Sequence, residues 1–364
     1  FGHGMGSVGV FHGRPADARR TASPGWYNTA AFERAARAAG IASSSIHGDA
    51  FSTVVLEQTL QRVRETLGAL DVVVYSIAAP VRTDPATGET FRSALKTIGR
   101  PATARAIDPG AGRLRGFTGE PASTAEIVGT VKVMGGEDLA RWVDALSDAR
   151  LLARGARVVA FSYIGPEVTW PVYRSGTIGR AKLHLETTCV DLNARLARRI
   201  AGTCRASVNK SVVTQAAAAI PAVPLYMSLL FRVMKKLGTH EGPIEQAIRL
   251  FDDHIGPGRT PTTDRDGRIR LDDLEMRPEV QAEVARRWAI ATDENLRDLA
   301  DIESYQRYFR QLFGFDVPGV DYDALRGKEI ARLAEDGLLV VEPGRIRLAE
   351  DALFISDSVF AELV

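Results

Sequence analysis

The side chains best equipped for chemistry are Tyr173 and Lys182, nine residues apart in the stretch SYIGPEVTWPVYRSGTIGRAK (162–182). A phenol beside an ammonium can steady negative charge arising on a substrate oxygen and then deliver a proton to it. A free tyrosine titrates near pH ~10, and a neighbouring cation favours the phenolate and lowers that value. Side chains four positions apart share one face of a helix and can interact. Nine positions at about 100° each would put these two on opposite faces of a single helix, roughly 13 Å apart along its axis. Cooperation therefore requires a break in the chain between them. Pro171, Gly176 and Gly179 supply one, since each stops or ends a helix. The spacing predicts Tyr173 on a short turn and Lys182 at the start of the helix that follows. The plain alternative is an ordinary loop tyrosine, and the surrounding elements must decide.

The first two-thirds of the chain alternates strand-like and helix-like patterns, which predicts an α/β fold with a doubly wound, Rossmann-like parallel sheet. SVGVF (7–11) reads as a short strand, NTAAFERAARAAG (28–40) as an amphipathic helix, and IASSSIHGDAF (41–51) as a weak strand with Asp49 and Ala50 in the turn after it. TVVLEQTLQRVRETLG (53–68) has the apolar spacing of a helix and feeds DVVVYSIAAP (71–80). That continuous β-branched run implies a strand covered on both sheet faces. Residues 81–121, rich in Gly, Pro, Thr and Arg, read as a long excursion. EDLARWVDALSDARLLARG (137–155) is then a helix, and ARVVAFSYIG (156–165) a buried strand. LHLETTCVDLNARLARRIAG (183–202) reads as a helix and RASVNKSVVTQAAAAIP (205–221) as a strand running into small residues.

In such sheets ligands bind beyond the carboxyl ends of the strands. Asp49-Ala50, Ile77-Ala78, Tyr163 and Val213-Thr214 stand at those ends and would line one edge. Small residues there let a flat ligand approach the backbone; the competing explanation is tight packing under helix starts. Beyond Pro221, PLYMSLLFRVMKKLG (224–238) is apolar nearly all round, like a core helix or one that also lines an apolar cavity. Residues 239–320 read as charged and mostly helical, and GLLVVEPGRIRL (337–348) as a hairpin turning at Pro343-Gly344. Three regions are expected: a sheet domain over 1–221, a helical region over 222–325 and a small extension over 326–364.

Composition narrows the partners. A chain of 364 residues exceeds the usual size of one core, so a large domain with an added layer, or two domains, is expected. Its 45% hydrophobic and 25% charged content is that of a globular protein. A net charge of +1, with bases scattered among acids, gives no electrostatic reason to expect nucleic acid or an anionic membrane. Cys189 and Cys204 are too few for a disulfide framework or a zinc cage. Both fall in apolar segments, as small buried hydrophobes. His240 and Glu241 are adjacent, but no histidine pair at helical spacing and no carboxylate cluster accompanies them, so no metal is expected. No apolar run approaches the ~18 residues of a membrane span and no signal peptide is visible, which makes the cytoplasm the expected compartment.

The opening FGHGMGSVGVF imitates a dinucleotide fingerprint with Gly2, Gly4, Gly6 and Gly9. That fingerprint needs a strand before it and a helix after it, and here a strand follows. The better reading is a loop leading into the second strand, with the first strand and phosphate loop upstream of Phe1, so the chain is expected to be a fragment.

Longer stretches carry a resemblance. They are SYIGPEVTWPVY with Lys182 nine residues on, SIAAPVRTDPATGET (76–90), GWYNTAAFERAA (25–36), VMGGEDLARWVDAL (133–146), VVTQAAAAIPAVPLYMSLLFRVMKKLGTHEG (212–242) and FGFDVPGVDYDA (313–324). Together they resemble the trans-2-enoyl reductases of the FabV type, which act on enoyl-ACP or enoyl-CoA thioesters in fatty acid synthesis. The resemblance runs to about residue 325, and the remainder looks less like the family. It implies a Tyr-x8-Lys active centre, with Tyr173 in the position of the proton donor. Lys182 takes the position of the residue that holds the cofactor and tunes the tyrosine, and Tyr163 that of a substrate-contacting tyrosine. Asp49, Ala50, Ile77 and Ala78 match positions flanking adenine and its ribose, and Val212, Val213 and Thr214 match the nicotinamide-side loop. Helix 225–238 resembles the family's lid over the acyl chain, and a monomer is implied.

Two departures stand out. The family's glycine-rich phosphate loop has no counterpart within these residues, and a chain truly lacking it would be short of a pyrophosphate cradle. At the end of strand 7–11, relatives place an aromatic-acidic pair whose acid meets the adenosine ribose. Here the pair is His12-Gly13, followed by Arg14. Losing an acid and gaining a cation would tolerate or favour NADPH beside NADH; a solvated loop is the alternative. Two rival readings remain at this level. One is another nicotinamide-dependent reductase acting on a carbonyl substrate, against which the apolar 225–238 speaks. The other is a truncated, non-catalytic binding module.

Overall fold

The computed structural model describes residues 4–15, 22–108, 112–319, 322–342 and 345–349. In chain order, β1 (Ser7–Phe11), α1 (Pro24–Ala38) and β2 (Ser43–His47) come first. Next come α2 (Thr53–Thr66), β3 (Leu70–Tyr75) and two antiparallel pairs, β4 (Val81–Thr83) with β5 (Thr90–Arg92) and β6 (Ala102–Asp108) with β7 (Arg113–Gly119). Helices α3 (Thr124–Met134) and α4 (Glu137–Asp148) lead into β8 (Leu152–Ser162), α5 (Thr177–Ile200) and β9 (Thr203–Val208). Then follow α6 (Gln215–Ala218), α7 (Val223–Lys236), α8 (Pro243–Arg249), β10 (Ile269–Arg270), α9 (Pro278–Ile290), α10 (Leu296–Leu299) and α11 (Ile302–Gln311). The last elements are α12 (Tyr322–Glu335), β11 (Leu339–Glu342) and β12 (Arg345–Leu348).

The chain divides into two compact units, Phe1–Ala50 with Phe313–Val364, and Phe51–Leu312. In the first, β1 and β2 run parallel, Ser7 opposite Ser43 and Phe11 opposite His47. Strands β11 and β12 form the expected antiparallel hairpin, Leu339 opposite Leu348, while its turn at Pro343-Gly344 lies outside the described residues. Leu333 of α12 and Leu339 of β11 are buried together.

In the second unit, four parallel strands lie in the order β10-β9-β8-β3. Strand β8 is interior, and its Val158, Val159 and Ala160 are at most 1% exposed. That is what a near-continuous apolar run demands, because both faces of a parallel sheet are covered. Successive side chains point to opposite faces. Val159 and Phe161 join Leu250, Ile255, Ile269 and Leu271 in one layer, while the Ser162 hydroxyl donates to Glu186 of α5 at 2.9 Å.

Several boundaries differ from the pattern reading, each for a local reason. Helix α1 starts at Pro24, not at 28, with the proline in its first turn, where the missing N–H costs nothing. Helix α4 stops at Asp148, before a turn in which Arg150 takes φ 56°, and β8 opens at Leu152. The excursion over 81–121 is built from the two antiparallel pairs, and α3 follows it. Helix α3 announces itself by a capping box, in which Ser123 and Glu126 satisfy each other's backbone N–H. Helix α5 begins at Thr177, so Lys182 stands in its second turn and not at its start. Gly179 belongs to that first turn, and a Cβ there would lie 1.9 Å from the Arg174 carbonyl oxygen. The glycine permits a close approach; it does not break the helix. Strand β9 ends at Val208, far short of 221, because residues 209–214 exchange ladder bonds for side-chain partners. Lys210 N–H donates to Gln246 Oε1 at 2.9 Å and Ser211 N–H to Glu275 Oε2 at 2.7 Å.

Helix α7 is apolar all round because it separates two clusters. Leu225, Leu229, Leu230 and Met234 pack with Val280 and Val284 of α9, while Val223, Met227 and Phe231 face Tyr173, Val213 and Tyr305. Cys189 and Cys204 are buried and free. Among the described residues, no helix is long and apolar enough to cross a membrane, and no group of His, Cys, Asp and Glu gathers as a metal cage.

Candidate active site

Tyr163 is the first residue past β8, and the backbone that follows is tied into a tight excursion. Gly165 takes φ +70°, a left-handed conformation that glycine adopts without strain. Trp170 Nε1 donates to the Gly165 carbonyl at 2.9 Å, and Thr169 Oγ1 donates to the Pro166 carbonyl at 2.9 Å. Tyr173 N–H donates to the Thr169 carbonyl at 3.0 Å, while the Tyr173 carbonyl accepts from Gly176 and Gly179 N–H, each at 3.1 Å. Tyr173 is thus pinned on both sides, on a turn ahead of α5, as its spacing from Lys182 requires. Its ring is 4% exposed and meets the Tyr163 ring edge-on, centroids 5.1 Å apart at 72°. Among the described residues its hydroxyl has no hydrogen-bond partner.

Lys182 Nζ donates to the Phe161 carbonyl at 3.1 Å, using one of its three N–H donors. Burial lowers its pKa, and the charges of Glu186 and Cys189 push the other way. Tyr173 is raised above the usual phenol value, first by burial and then by the negative charge of Glu186, with Arg174 opposing. The expected lowering by Lys182 is therefore not what this geometry produces. The lysine turns its ammonium to the strand carbonyl, and stripping water from a phenolate outweighs the cations nearby. Glu186 itself sits 3.6 Å from Arg174 and 3.2 Å from Arg268.

The second unit brings Tyr163, Tyr173 and Val213 into one cluster. Ile77 and Ala78, past the end of β3, and Val212 and Thr214, past the end of β9, lie beyond the carboxyl ends of parallel strands. Thr214 Oγ1 also accepts from Ala217 N–H at 3.0 Å, capping α6. In the first unit His12 and Gly13 follow β1, and Asp49 and Ala50 follow β2, again at carboxyl ends. His12 and Asp49 are exposed. A Cβ at Gly13 would come within 3.2 Å of His47 Nδ1. His240, a sequence candidate for acid-base work, packs edge-on against Phe231 and stacks on Tyr308 instead.

Three residues that the sequence does not flag adjoin the tyrosines. Tyr163 Oη donates to Glu275 Oε1 at 3.2 Å, Tyr226 Oη to the same oxygen at 2.6 Å, and Lys210 Nζ to the Ser211 carbonyl at 2.9 Å. Glu275, Lys210 and Tyr226 are each at most 1% exposed. Burial raises Glu275, and the Lys210 charge opposes; burial lowers Lys210 to about 8.

A parallel sheet flanked by helices, with an unpartnered, buried phenol past the end of β8 and a partly buried lysine on the next helix, makes this an α/β protein with a candidate proton donor at its strand ends. The described sheet runs in simple sequential order, so the doubly wound reversal is not seen within it. A family profile described as the trans-2-enoyl-CoA reductase catalytic region matches residues 20–255. A second, described as the enoyl reductase FAD binding domain, matches 263–325. The enoyl-(acyl-carrier-protein) reductase (NADH) of Opitutus terrae is 51% identical over 324 residues, covering 89% of this chain and 82% of that one. Its namesake from Coxiella burnetii is 50% identical over 333 residues, covering 91% and 82%. The crystal structure of Treponema denticola trans-2-enoyl-CoA reductase in complex with NAD superposes with a TM-score of 0.84 at 43% identity, over 89% of this chain and 80% of that one. The Clostridium acetobutulicum enzyme in complex with NADH gives 0.84 at 38% identity, over 87% and 80%. The chain belongs to the trans-2-enoyl-CoA reductase family.

Proposed function

We infer that this chain reduces the trans-2 double bond of enoyl thioesters with NADH, the acyl group being carried by coenzyme A or acyl carrier protein, as a step of fatty acid synthesis. The observation that carries the reading is Tyr173, a phenol pinned by its backbone, buried among apolar side chains, with its hydroxyl left unpartnered. Bound NADH would supply hydride to the β-carbon. Charge then arises on the thioester oxygen, and the Tyr173 hydroxyl is the group that meets and protonates it. A phenol titrating no lower than the usual ~10 is protonated at neutral pH and so has a proton to give.

The residues present fit the cofactor. Lys182 keeps two donors beyond the one spent on Phe161, enough for the hydroxyls of a ribose. In the second unit, Val212, Val213 and Thr214 are the proposed contacts on the nicotinamide side and Ile77 and Ala78 on the adenosine side; in the first unit, His12, Gly13, Asp49 and Ala50 are candidates for adenosine contacts. Val223, Met227 and Phe231 of α7, on the Tyr173 side, suit an acyl chain better than a polar carbonyl substrate. The test follows nicotinamide absorbance with crotonyl-CoA beside a β-ketoacyl thioester. Oxidation of NADH with the first supports the reading, and oxidation with the second alone refutes it. Lys182→Met is expected to weaken both NADH binding and turnover, read from the dissociation constant and kcat.

A further inference from the structure

Glu275 lies between β10 and α9, 0% exposed, where three donors from three other parts of the chain converge on it. Tyr163 Oη and Tyr226 Oη reach Oε1 at 3.2 and 2.6 Å, and Ser211 N–H reaches Oε2 at 2.7 Å. Gln281 Nε2 steadies the cluster by donating to Tyr226 Oη at 3.1 Å and to the Glu275 backbone carbonyl at 2.7 Å. A carboxylate removed from water is tolerated only when hydrogen-bonded and countered by charge. Both conditions are met, the countercharge being Lys210.

Counting protons gives this arrangement a consequence. An ionised carboxylate only accepts, and a tyrosine hydroxyl has one hydrogen to give. The Tyr163 proton is spent on Glu275, so toward any ligand Tyr163 offers lone pairs alone. The Tyr173 hydroxyl carries no such commitment. The ring that Glu275 anchors is also the one set edge-on against Tyr173, and the N–H it holds opens the 211–214 loop.

Resting on the enoyl-reductase reading, we propose that Glu275 is a positioning residue for the reaction: it accepts the Tyr163 proton and the Ser211 N–H, locking Tyr163 against Tyr173 and leaving Tyr173 as the member of the pair that donates to substrate. Misplacing a reacting group by an ångström can cost about a hundredfold in rate.

The experiment measures kcat, KM for NADH and the melting midpoint with crotonyl-CoA for wild type, Tyr163→Phe, Glu275→Gln and the double variant. Glu275→Gln should lower kcat roughly tenfold or more while KM for NADH stays within about twofold. The double variant should be no slower than the slower single one, as for residues acting through one contact. Tyr163→Phe, which leaves the fold with its other donors to Glu275, should retain far more kcat than Tyr173→Phe. An active wild type whose single effects multiply, or Tyr163→Phe as crippled as Tyr173→Phe, overturns the role of Glu275 alone. A wild type inactive on every enoyl thioester overturns the functional reading and this inference together.

Discussion

At the residue scale, burial decides more than proximity. The Tyr-x8-Lys spacing was legible, and so was the need for a turn between the two residues. The direction of the tyrosine shift was not, because a sequence shows which charges are nearby in the chain but not how much water a fold removes. Glu275 was illegible for the same reason. Within LDDLEMR (271–277) nothing in the sequence separates it from Asp272 and Asp273 beside it, and its contact with Tyr163 spans 112 residues. His240 offers a test of the burial argument. It is held near neutral by desolvation, with a pKa lowered to about 4, whereas an unfolded histidine titrates near ~6.5. Between those values the unfolded chain binds the extra proton, so stability falls as the pH drops through that window. The melting midpoint of the wild type should decline from pH ~6.5 toward pH ~4, and His240→Gln should flatten the decline. Equal slopes in the two proteins would remove His240 as a cause.

At the element scale, the alternation of buried runs and amphipathic stretches located the sheet strands and most helices, because a parallel strand with both faces covered has little freedom in composition. Boundaries were less legible where a glycine serves contact and not chain reversal. Gly179 looked like a helix breaker and lies inside α5, where the Arg174 carbonyl occupies the space of a side chain. Gly136 does similar work between helices, since a Cβ there would lie 2.1 Å from Thr188 Oγ1 of α5. Gly179→Ala must displace backbone beside Tyr173, so it should lower both the melting midpoint and kcat, by about 1–3 kcal/mol in stability as overpacked sites typically cost. Thermal melting alongside turnover checks this; an unchanged midpoint would mean the turn yields without strain.

At the scale of the whole molecule, the resemblance reached further than any single pattern, over nearly the whole chain to about residue 325, and the family profiles match 20–255 and 263–325. The α/β class follows from physical patterning alone, whereas the substrate class rests on the family match, with the buried, unpartnered Tyr173 phenol packed against α7 as the group proposed to serve it. The proposed chemistry centres on Tyr173. Its most direct measurement compares NADH oxidation on crotonyl-CoA by wild type and Tyr173→Phe, with NADH affinity followed separately by fluorescence. Turnover should slow roughly a hundredfold, the loss typical of removing one donor from a developing oxyanion, with NADH affinity unchanged. A Tyr173→Phe enzyme with near-normal turnover would contradict the donor role.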